Sequence, residues 1–463
     1  MMEPFQYRIS EVKEDLAMNV DVLVIGWGKA GKTLAGKLAE QGKSVALVEK
    51  SASMYGGTCI NIGCVPTKTL ITSAHDRREA DSPAEYFEKS VAHRDEFIAR
   101  LRAANHAMLE GRVTLIDGRA QFVDSHRVKV VPTVGEAEEL EISAGTIIIN
   151  TGTVPAHPPI PGIDLPGVYD STTIQHVQPL PRKLVIVGGS FIGLEFATMM
   201  NDFGSDVTVI DPAGKLLPRL DDDVAASVKQ TMEDQGIHFV LSQAVSEISK
   251  SENGLTVHTD KGQFDADAVL VAVGRASTAG DLDLVKAGIE IDKRGFIRVD
   301  EKLRTSVPGV YAVGDINGGP QFTYISYDDH RIVLDDLLGS SKRSTKDRVA
   351  VPWTAFLNPP LSGVGLTQEQ AVAEGRDVRI AQADIAKIAV MPRPKIIGNS
   401  AGSVKFVIDA QTDKILGASL HCIDSQELIN MVALAIRVGA TASQLRDGIW
   451  THPSSTEMFN GVL

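Results

Sequence analysis

The chain has 463 residues, 43% hydrophobic and 23% charged, too many for one compact core, so roughly two to four domains are expected. Its formal net charge of -13 disfavours general binding to nucleic acid or anionic membranes, though a local basic pocket for a dinucleotide is compatible with it. No apolar run reaches the roughly 18 residues of a membrane span, and residues 1–19, with Glu3, Arg8, Glu11, Lys13, Glu14 and Asp15, lack the apolar stretch of a signal peptide, so a cytoplasmic protein is expected.

In chain order, Val20–Ile25 reads as a buried strand running into Gly26-Trp27-Gly28-Lys29-Ala30-Gly31. A helix follows over Lys32–Gln41, ended by Gly42, then an apolar run Ser44–Val48 closed by Glu49: a βαβ unit. Asp76–Glu110 is charged and helical in pattern, and Arg112–Val131 alternates like strands. Prolines 155, 158, 159, 161 and 166 crowd the stretch after Gly152 and mark a linker. The same plan then recurs: strand Lys183–Val187, turn Gly188-Gly189-Ser190-Phe191-Ile192-Gly193, a helix through Asn201, and strand Val207–Ile210 with Asp211. In both units the acid lies 23 positions after the first glycine, so two dinucleotide units are expected. A second crossing follows Gly274-Arg275. The final segment carries strands at Ser403–Asp409 and Ile415–His421 and helices at Gln426–Val438 and Ala442–Asp447, with no dinucleotide motif.

The glycines of each turn permit a tight bend and close approach of backbone to a pyrophosphate, and the helix N-terminus then faces the phosphate charge. Glu49 is positioned for ribose hydroxyls in the first unit. In the second, Ser190 replaces the middle glycine, and Asp211 suits a 2′-hydroxyl and repels a 2′-phosphate. That favours NADH over NADPH, with Lys215 nearby as a contrary charge.

Three cysteines are too few for a structural disulfide framework. Cys59 and Cys64 follow Gly56-Gly57-Thr58, and Pro66 suits a helix beginning near Cys64, whose N-terminal field favours a thiolate. Residues five apart on a regular helix have Cα atoms about 8.7 Å apart. A disulfide wants roughly 4.4–6.8 Å. The residues between a bridged pair therefore cannot be regular helix. Two buried thiols or a metal pair are the other readings, and no structural metal site is expected because no second Cys/His cluster is adjacent. Cys422 lies on an apolar run and reads as a core cysteine.

Gly56-Gly57-Thr58-Cys59 through Cys64-Val65-Pro66-Thr67-Lys68 resembles the active-site signature of the class I pyridine nucleotide-disulfide oxidoreductases. Tyr311-Ala312-Val313-Gly314-Asp315 resembles the family's second FAD motif. Thr151-Gly152 and Gly274-Arg275 resemble its domain crossings. His452-Pro453-Ser454-Ser455-Thr456-Glu457 is similar to its C-terminal His-Glu motif, with Ser454 where threonine is usual. The stretches Gly28–Ala35, Met54–Gly57, Gln321–Ser326, Lys342–Thr345 and Gly417–Leu420 further resemble a subgroup of bacterial flavoproteins that resist reactive chlorine and reduce copper(II).

The resemblance implies an α/β chain with two Rossmann-like domains, for FAD and NAD, and a C-terminal α+β dimerisation domain. The implied limits are an extension at 1–19, FAD-binding parts at 20–154 and 276–346, an NAD(P)-binding domain at 155–275 and an interface domain at 347–463. It assigns FAD to Gly26, Gly28, Gly31, Glu49, Lys50, Gly57, Thr58, Lys68, Ala120, Thr151, Gly152, Gly314 and Asp315. The pyridine nucleotide falls to Gly188, Gly189, Gly193, Asp211, Gly274 and Arg275. A helix after Gln321-Phe322-Thr323 would point its N-terminus at the flavin. The catalytic set is Cys64 on the flavin side, Cys59 toward substrate, a Lys68–Glu195 pair, and His452 oriented by Glu457 and serving the partner subunit of a homodimer.

The implied acceptor is copper(II), contacting Cys59 and Cys64 transiently, or another small molecule or metal ion. The relatives leave other readings open: a mercuric-reductase-like enzyme, although Phe459–Leu463 holds no vicinal cysteines, or a dihydrolipoamide-dehydrogenase-like one, although Trp450 stands where a second histidine is usual. A thiol redox sensor with incidental turnover is the reading from another class.

Overall fold

The computed structural model describes residues 17–133, 135 and 138–463. They form two compact units: residues up to Asn61 with Ala99–Val154 and Ala276–Thr345, and Ile62–Ile98 with Pro155–Arg275 and Lys346–Leu463. Residues 1–16 of the expected extension lie outside the described residues.

The first unit is built on a six-stranded sheet. Its parallel strands lie in the order Thr114–Phe122, Val45–Glu49 (β2), Ala17–Ile25 (β1), Leu140–Ile149 and Val310–Ala312. Arg127–Pro132 pairs antiparallel with both Thr114–Phe122 and Leu140–Ile149. Successive residues of β1 go to opposite layers: Val22 and Val24 pack into one apolar cluster, Leu23 and Ile25 into another. Burial on both faces is why this strand reads as a continuous apolar run. β1 begins at Ala17, not Val20 as expected: Ala17, Met18 and Asn19 continue the ladder with Glu141, Ile142 and Ser143, and exposed or half-buried side chains there leave no apolar signal. Residues 17–19 therefore belong to this strand and not to an extension. The helix after it, Lys29–Glu40 (α1), likewise starts before the expected Lys32, inside the glycine motif.

The second unit contains a parallel sheet in the order His238–Leu241, Asp206–Asp211, Lys183–Val187, Ala268–Val271, Val168–Tyr169. It is again buried on both faces, Leu184 and Ile186 on one side, Val185 and Val187 on the other. The helix Phe191–Phe203 follows the second glycine turn and ends on Gly204 in the left-handed region. A five-stranded antiparallel sheet carries the C-terminal segment, in the order Trp353–Ala355, Leu361–Gly365, Ile415–His421, Ser403–Asp409, Val378–Asp384, with helix Ser425–Val438 packed on it.

One buried ion cluster joins these parts of the second unit. The Lys405 ammonium, on strand Ser403–Asp409, lies 3.1 Å from Asp221 and 2.8 Å from Asp223 at the start of helix Asp222–Asp234. Asp221 also accepts the Gln368 and Glu369 amides at 3.0 and 3.1 Å. Lys405 and Asp221 side chains are only 4% and 5% exposed, so removing the cation strands buried carboxylate charge. Lys405→Met is expected to cost about 3–5 kcal/mol in the unfolding of this unit, read as a lowered thermal midpoint.

Candidate functional site

The first glycine turn links β1 to α1. The Gly26 amide donates to the Val48 carbonyl at 2.8 Å, and α1 opens at Gly28 without a side-chain cap, leaving its N-terminal field for a ligand. A Cβ on Gly28 would stand 2.3 Å from Asn150 Oδ1, so the turn is a cradle that only glycine leaves open. Glu49, ending β2, accepts the Trp27 amide at 3.0 Å and the Ser51 amide at 3.2 Å; burial nevertheless holds its carboxyl above the ordinary range. Gly57 and Thr58 lead into the short helix Thr58–Asn61 (α2). Lys50 reaches Asp281 at 3.5 Å.

Further along the same unit, Thr151 and Gly152 accept the Thr278 hydroxyl at 2.9 and 3.0 Å. Asp315 accepts the Thr153 hydroxyl at 3.2 Å, and the Gly314 amide donates to Asp329 at 2.6 Å. Helix Thr323–Leu338 begins at Thr323, one residue earlier than the resemblance implied, with Phe322 as its N-cap. Ala120 is placed differently from the other expected residues: its side chain belongs to the apolar core, not to the polar cluster around the turn.

The second turn repeats the arrangement. Asp211 accepts the Gly189 amide at 2.6 Å and the Ala213 amide at 2.7 Å, and Ser190 caps helix Phe191–Phe203 with no side-chain bond. A Cβ on Gly193 would meet the Gly188 carbonyl at 1.9 Å, so the helix can pack on the turn only through glycine. Lys215 bonds Asp222 at 2.6 Å and the Leu220 carbonyl at 2.8 Å, which draws it into a local ion pair. The Gly274 carbonyl accepts the Ala156 amide at 3.0 Å, and Arg275 is half-buried. Both turns, with uncapped helix ends, open glycine cradles and a terminal carboxylate, fit a bound dinucleotide.

Cys59 sits half-buried in α2 and Cys64 exposed at the first position of helix Cys64–Asp76 (α3). Regular helix is interrupted between them, since α2 ends at Asn61 and α3 starts at Cys64. In the second unit, Lys68 Nζ lies 2.5 Å from Glu195 Oε2, and the other Glu195 oxygen accepts the Phe356 amide at 2.9 Å. His452 Nδ1 is 2.7 Å from Glu457, whose second oxygen accepts the Ser454 amide at 2.8 Å. The His452 side chain is 70% exposed, and its bond holds the Glu457 carboxyl below the ordinary range. Cys422 is fully buried in the C-terminal core, where desolvation, with Asp424 adding, pushes its thiol up.

Sequence reasoning missed the residue that ties the first turn together. Asn150 Oδ1 accepts the Gly31 amide at 2.8 Å and its Nδ2 donates to the Val313 carbonyl at 2.6 Å, joining the glycine turn to the second motif. The available signal was one polar residue ending the apolar run Ile147-Ile148-Ile149. It also missed Lys32, a buried lysine on α1 that bonds the Gly56 carbonyl at 3.0 Å and Asn105 Oδ1 at 2.5 Å.

Among the described residues no helix is long and apolar enough to cross a membrane, and no cluster of three metal-ligating His, Cys, Asp or Glu side chains occurs. Residues 20–329 match the family described as pyridine nucleotide-disulphide oxidoreductase, and residues 351–462 match its dimerisation domain. The chain is 44% identical to the probable pyridine nucleotide-disulfide oxidoreductase RclA of Escherichia coli, over 95% of this chain and 98% of that protein. It is 31% identical to dihydrolipoyl dehydrogenase of Geobacillus stearothermophilus, over 96% of this chain and 95% of that protein. A solved structure, the Cu(II) complex of the HOCl-induced flavoprotein disulfide reductase RclA from Escherichia coli, superposes with a TM-score of 0.90 at 43% identity, covering 96% of this chain and 98% of that one. These matches imply FAD and a pyridine nucleotide as cofactors and a flavoprotein disulfide oxidoreductase activity. The chain belongs to the pyridine nucleotide-disulphide oxidoreductase family.

Proposed function

We propose that this enzyme takes electrons from NADH and passes them through Cys59 and Cys64 to copper(II), yielding copper(I), in defence against reactive chlorine. The carrying observation is full-length similarity to RclA, described as HOCl-induced and solved as a Cu(II) complex. Soft thiolates suit copper(I), which gives the pair a chemical reason to reduce this metal while contacting it only in passing.

FAD, when bound, supplies the carrier that accepts hydride and returns two electrons to a disulfide. The chain's own residues do the rest. Gly26, Gly28, Gly31, Glu49, Lys50, Gly57, Thr58, Ala120, Thr151, Gly152, Gly314 and Asp315 are assigned to holding FAD, within domain parts 20–154 and 276–346. Gly188, Gly189, Gly193, Asp211, Gly274 and Arg275, within 155–275, are assigned to the pyridine nucleotide. Asp211 repels a 2′-phosphate, and Lys215, bonded to Asp222, does not offset it, which supports NADH. The Lys68–Glu195 pair, neutral as a whole, holds the Lys68 ammonium in a fixed place one turn along α3 from Cys64. Cys64 is assigned the cofactor side and Cys59 the substrate side. His452, oriented through Nδ1 by Glu457, holds or moves a proton at Nε2. Its exposure suits service to a second copy, joined through an interface domain at 347–463 in a homodimer.

An acceptor screen on FAD-loaded protein tests this. Rapid NADH consumption is expected with copper(II) and little with lipoamide or oxidised glutathione. NADPH should be poorer by about tenfold or more, the cost of one like-charge contact. Faster turnover with lipoamide would favour a dihydrolipoyl-dehydrogenase-like role, in keeping with the 31% identity to that enzyme. Slow turnover with every acceptor would make the thiols a sensor.

A further inference from the structure

We propose that Lys32 is the counter-ion of the Cys59 thiolate, a positioning residue whose buried ammonium keeps that sulfur charged and reactive after reduction. This rests on the redox role of Cys59 put forward above and names what regulates it.

Lys32 is 8% exposed, and its acceptors, the Gly56 carbonyl at 3.0 Å and Asn105 Oδ1 at 2.5 Å, are both neutral. Burying an ammonium without an opposing charge is costly, so a lysine held this way calls for an anion at some stage of the cycle. Burial, with Lys29 adding, brings its ammonium down to about 8, and Cys59 is the neighbour that acts in the opposite sense, favouring the charged form.

The loop that carries Cys59 is fastened around this point. Asn61 Nδ2 donates to the Tyr55 and Gly57 carbonyls, both at 2.9 Å, and Arg102 Nε donates to Asn61 Oδ1 at 2.8 Å. The Tyr55 hydroxyl donates to Asp117 at 2.6 Å, and its ring packs at a tilt against Trp27 and His106, with centroids 4.5 and 5.0 Å away. Lys32 faces this loop from α1, Arg102 and His106 from helix Pro83–Ala107, Asp117 from strand Thr114–Phe122, and Glu49 from β2, while Lys29, whose charge acts on Lys32, lies over the Tyr327 ring at 4.8 Å. The ammonium is thus held at a fixed place on the Cys59 loop, in a site where its field is not diluted by water.

The redox balance gives it work to do. Oxidation of NADH releases two electrons and one proton; the S–S bond breaks, the two sulfurs take up the electrons, and one proton is too few to neutralise both. The N-terminus of α3 favours that charge on Cys64, and Lys32 opposes the bias by stabilising charge on Cys59 when its proton leaves, so that the substrate-side sulfur can react. A merely structural lysine would tether Gly56 and leave the thiol's reactivity alone.

The test is iodoacetamide labelling of the NADH-reduced, FAD-loaded enzyme at pH 7, with Cys59 and Cys64 peptides followed separately by mass spectrometry. Lys32→Met should slow Cys59 labelling about tenfold or more, since one opposite charge commonly moves a titration by at least a unit. Lys32→Arg should restore most of the rate. Asn105→Asp keeps the lysine and its tether but supplies a competing carboxylate, and should also slow labelling; a tether alone predicts no change there. Unchanged Cys59 labelling in both Lys32→Met and Asn105→Asp would overturn the counter-ion while leaving the redox pair intact. If NADH unmasked no thiol at Cys59 in the native enzyme, the redox role itself would fall, and this proposal with it.

Discussion

Cys64→Ser and Cys59→Ser are each expected to lower NADH-driven copper(II) reduction about a hundredfold or more, because a dithiol relay acts as a unit and fails when either sulfur is missing. The two variants need not look alike otherwise. Cys64 opens α3 and is exposed, whereas Cys59 is half-buried in α2, on the loop fastened by Lys32, Asn61 and Arg102. Serine is close in size to cysteine, so neither change opens a cavity or strains the turn. A soluble one-electron oxidant that needs no thiol supplies the control. Its reduction by NADH should persist in both variants and show that they still hold FAD. Retention of full copper(II) activity in either variant would remove the sulfurs from the path. Loss of turnover with every oxidant would point to lost cofactor and say nothing about thiols.

Much of the framework was legible in the residue order, for physical reasons that differ along the chain. Lys183–Val187, Ser403–Asp409 and Ile415–His421 lie within the bounds their apolar patterns suggest, because four of the five positions of the first and all seven of each of the others are buried or half-buried there. Ala17–Asn19 escaped notice because the neighbouring strand, not local apolarity, sets the ladder. The glycine turns were readable as motifs, since the same short spacing serves backbone geometry and phosphate approach. Asn150 was not, since its meaning depends on Gly31 and Val313, 119 and 163 positions away. Lys32 carries no signal in the residue order beyond opening the expected helix; its burial comes from the Gly56 and Asn105 segments folding over it. Long-range polar contacts of this kind leave no periodic trace.

Gly28→Val is expected to abolish copurification of FAD and to weaken its binding to apoprotein about a hundredfold, an effect measured by fluorescence titration. The Cβ would lie 2.3 Å from Asn150 Oδ1 and 2.7 Å from its Cγ. Asn150 cannot simply swing aside, because it would surrender the Gly31 amide and the Val313 carbonyl, its two links between the first and second motifs. α1 cannot easily retreat either, since Leu34, Ala35 and Leu38 are packed in the core beneath it. Two causes of the loss can be told apart. If the clash with Asn150 dominates, Gly28→Ala and Asn150→Ala should be non-additive, the pair binding FAD little worse than Asn150→Ala alone. If the added methyl chiefly blocks approach of the pyrophosphate, the two losses should add, since removing Asn150 would not clear the space the ligand needs. FAD binding by Gly28→Val at the native level would mean that the first glycine turn is not where the dinucleotide lies.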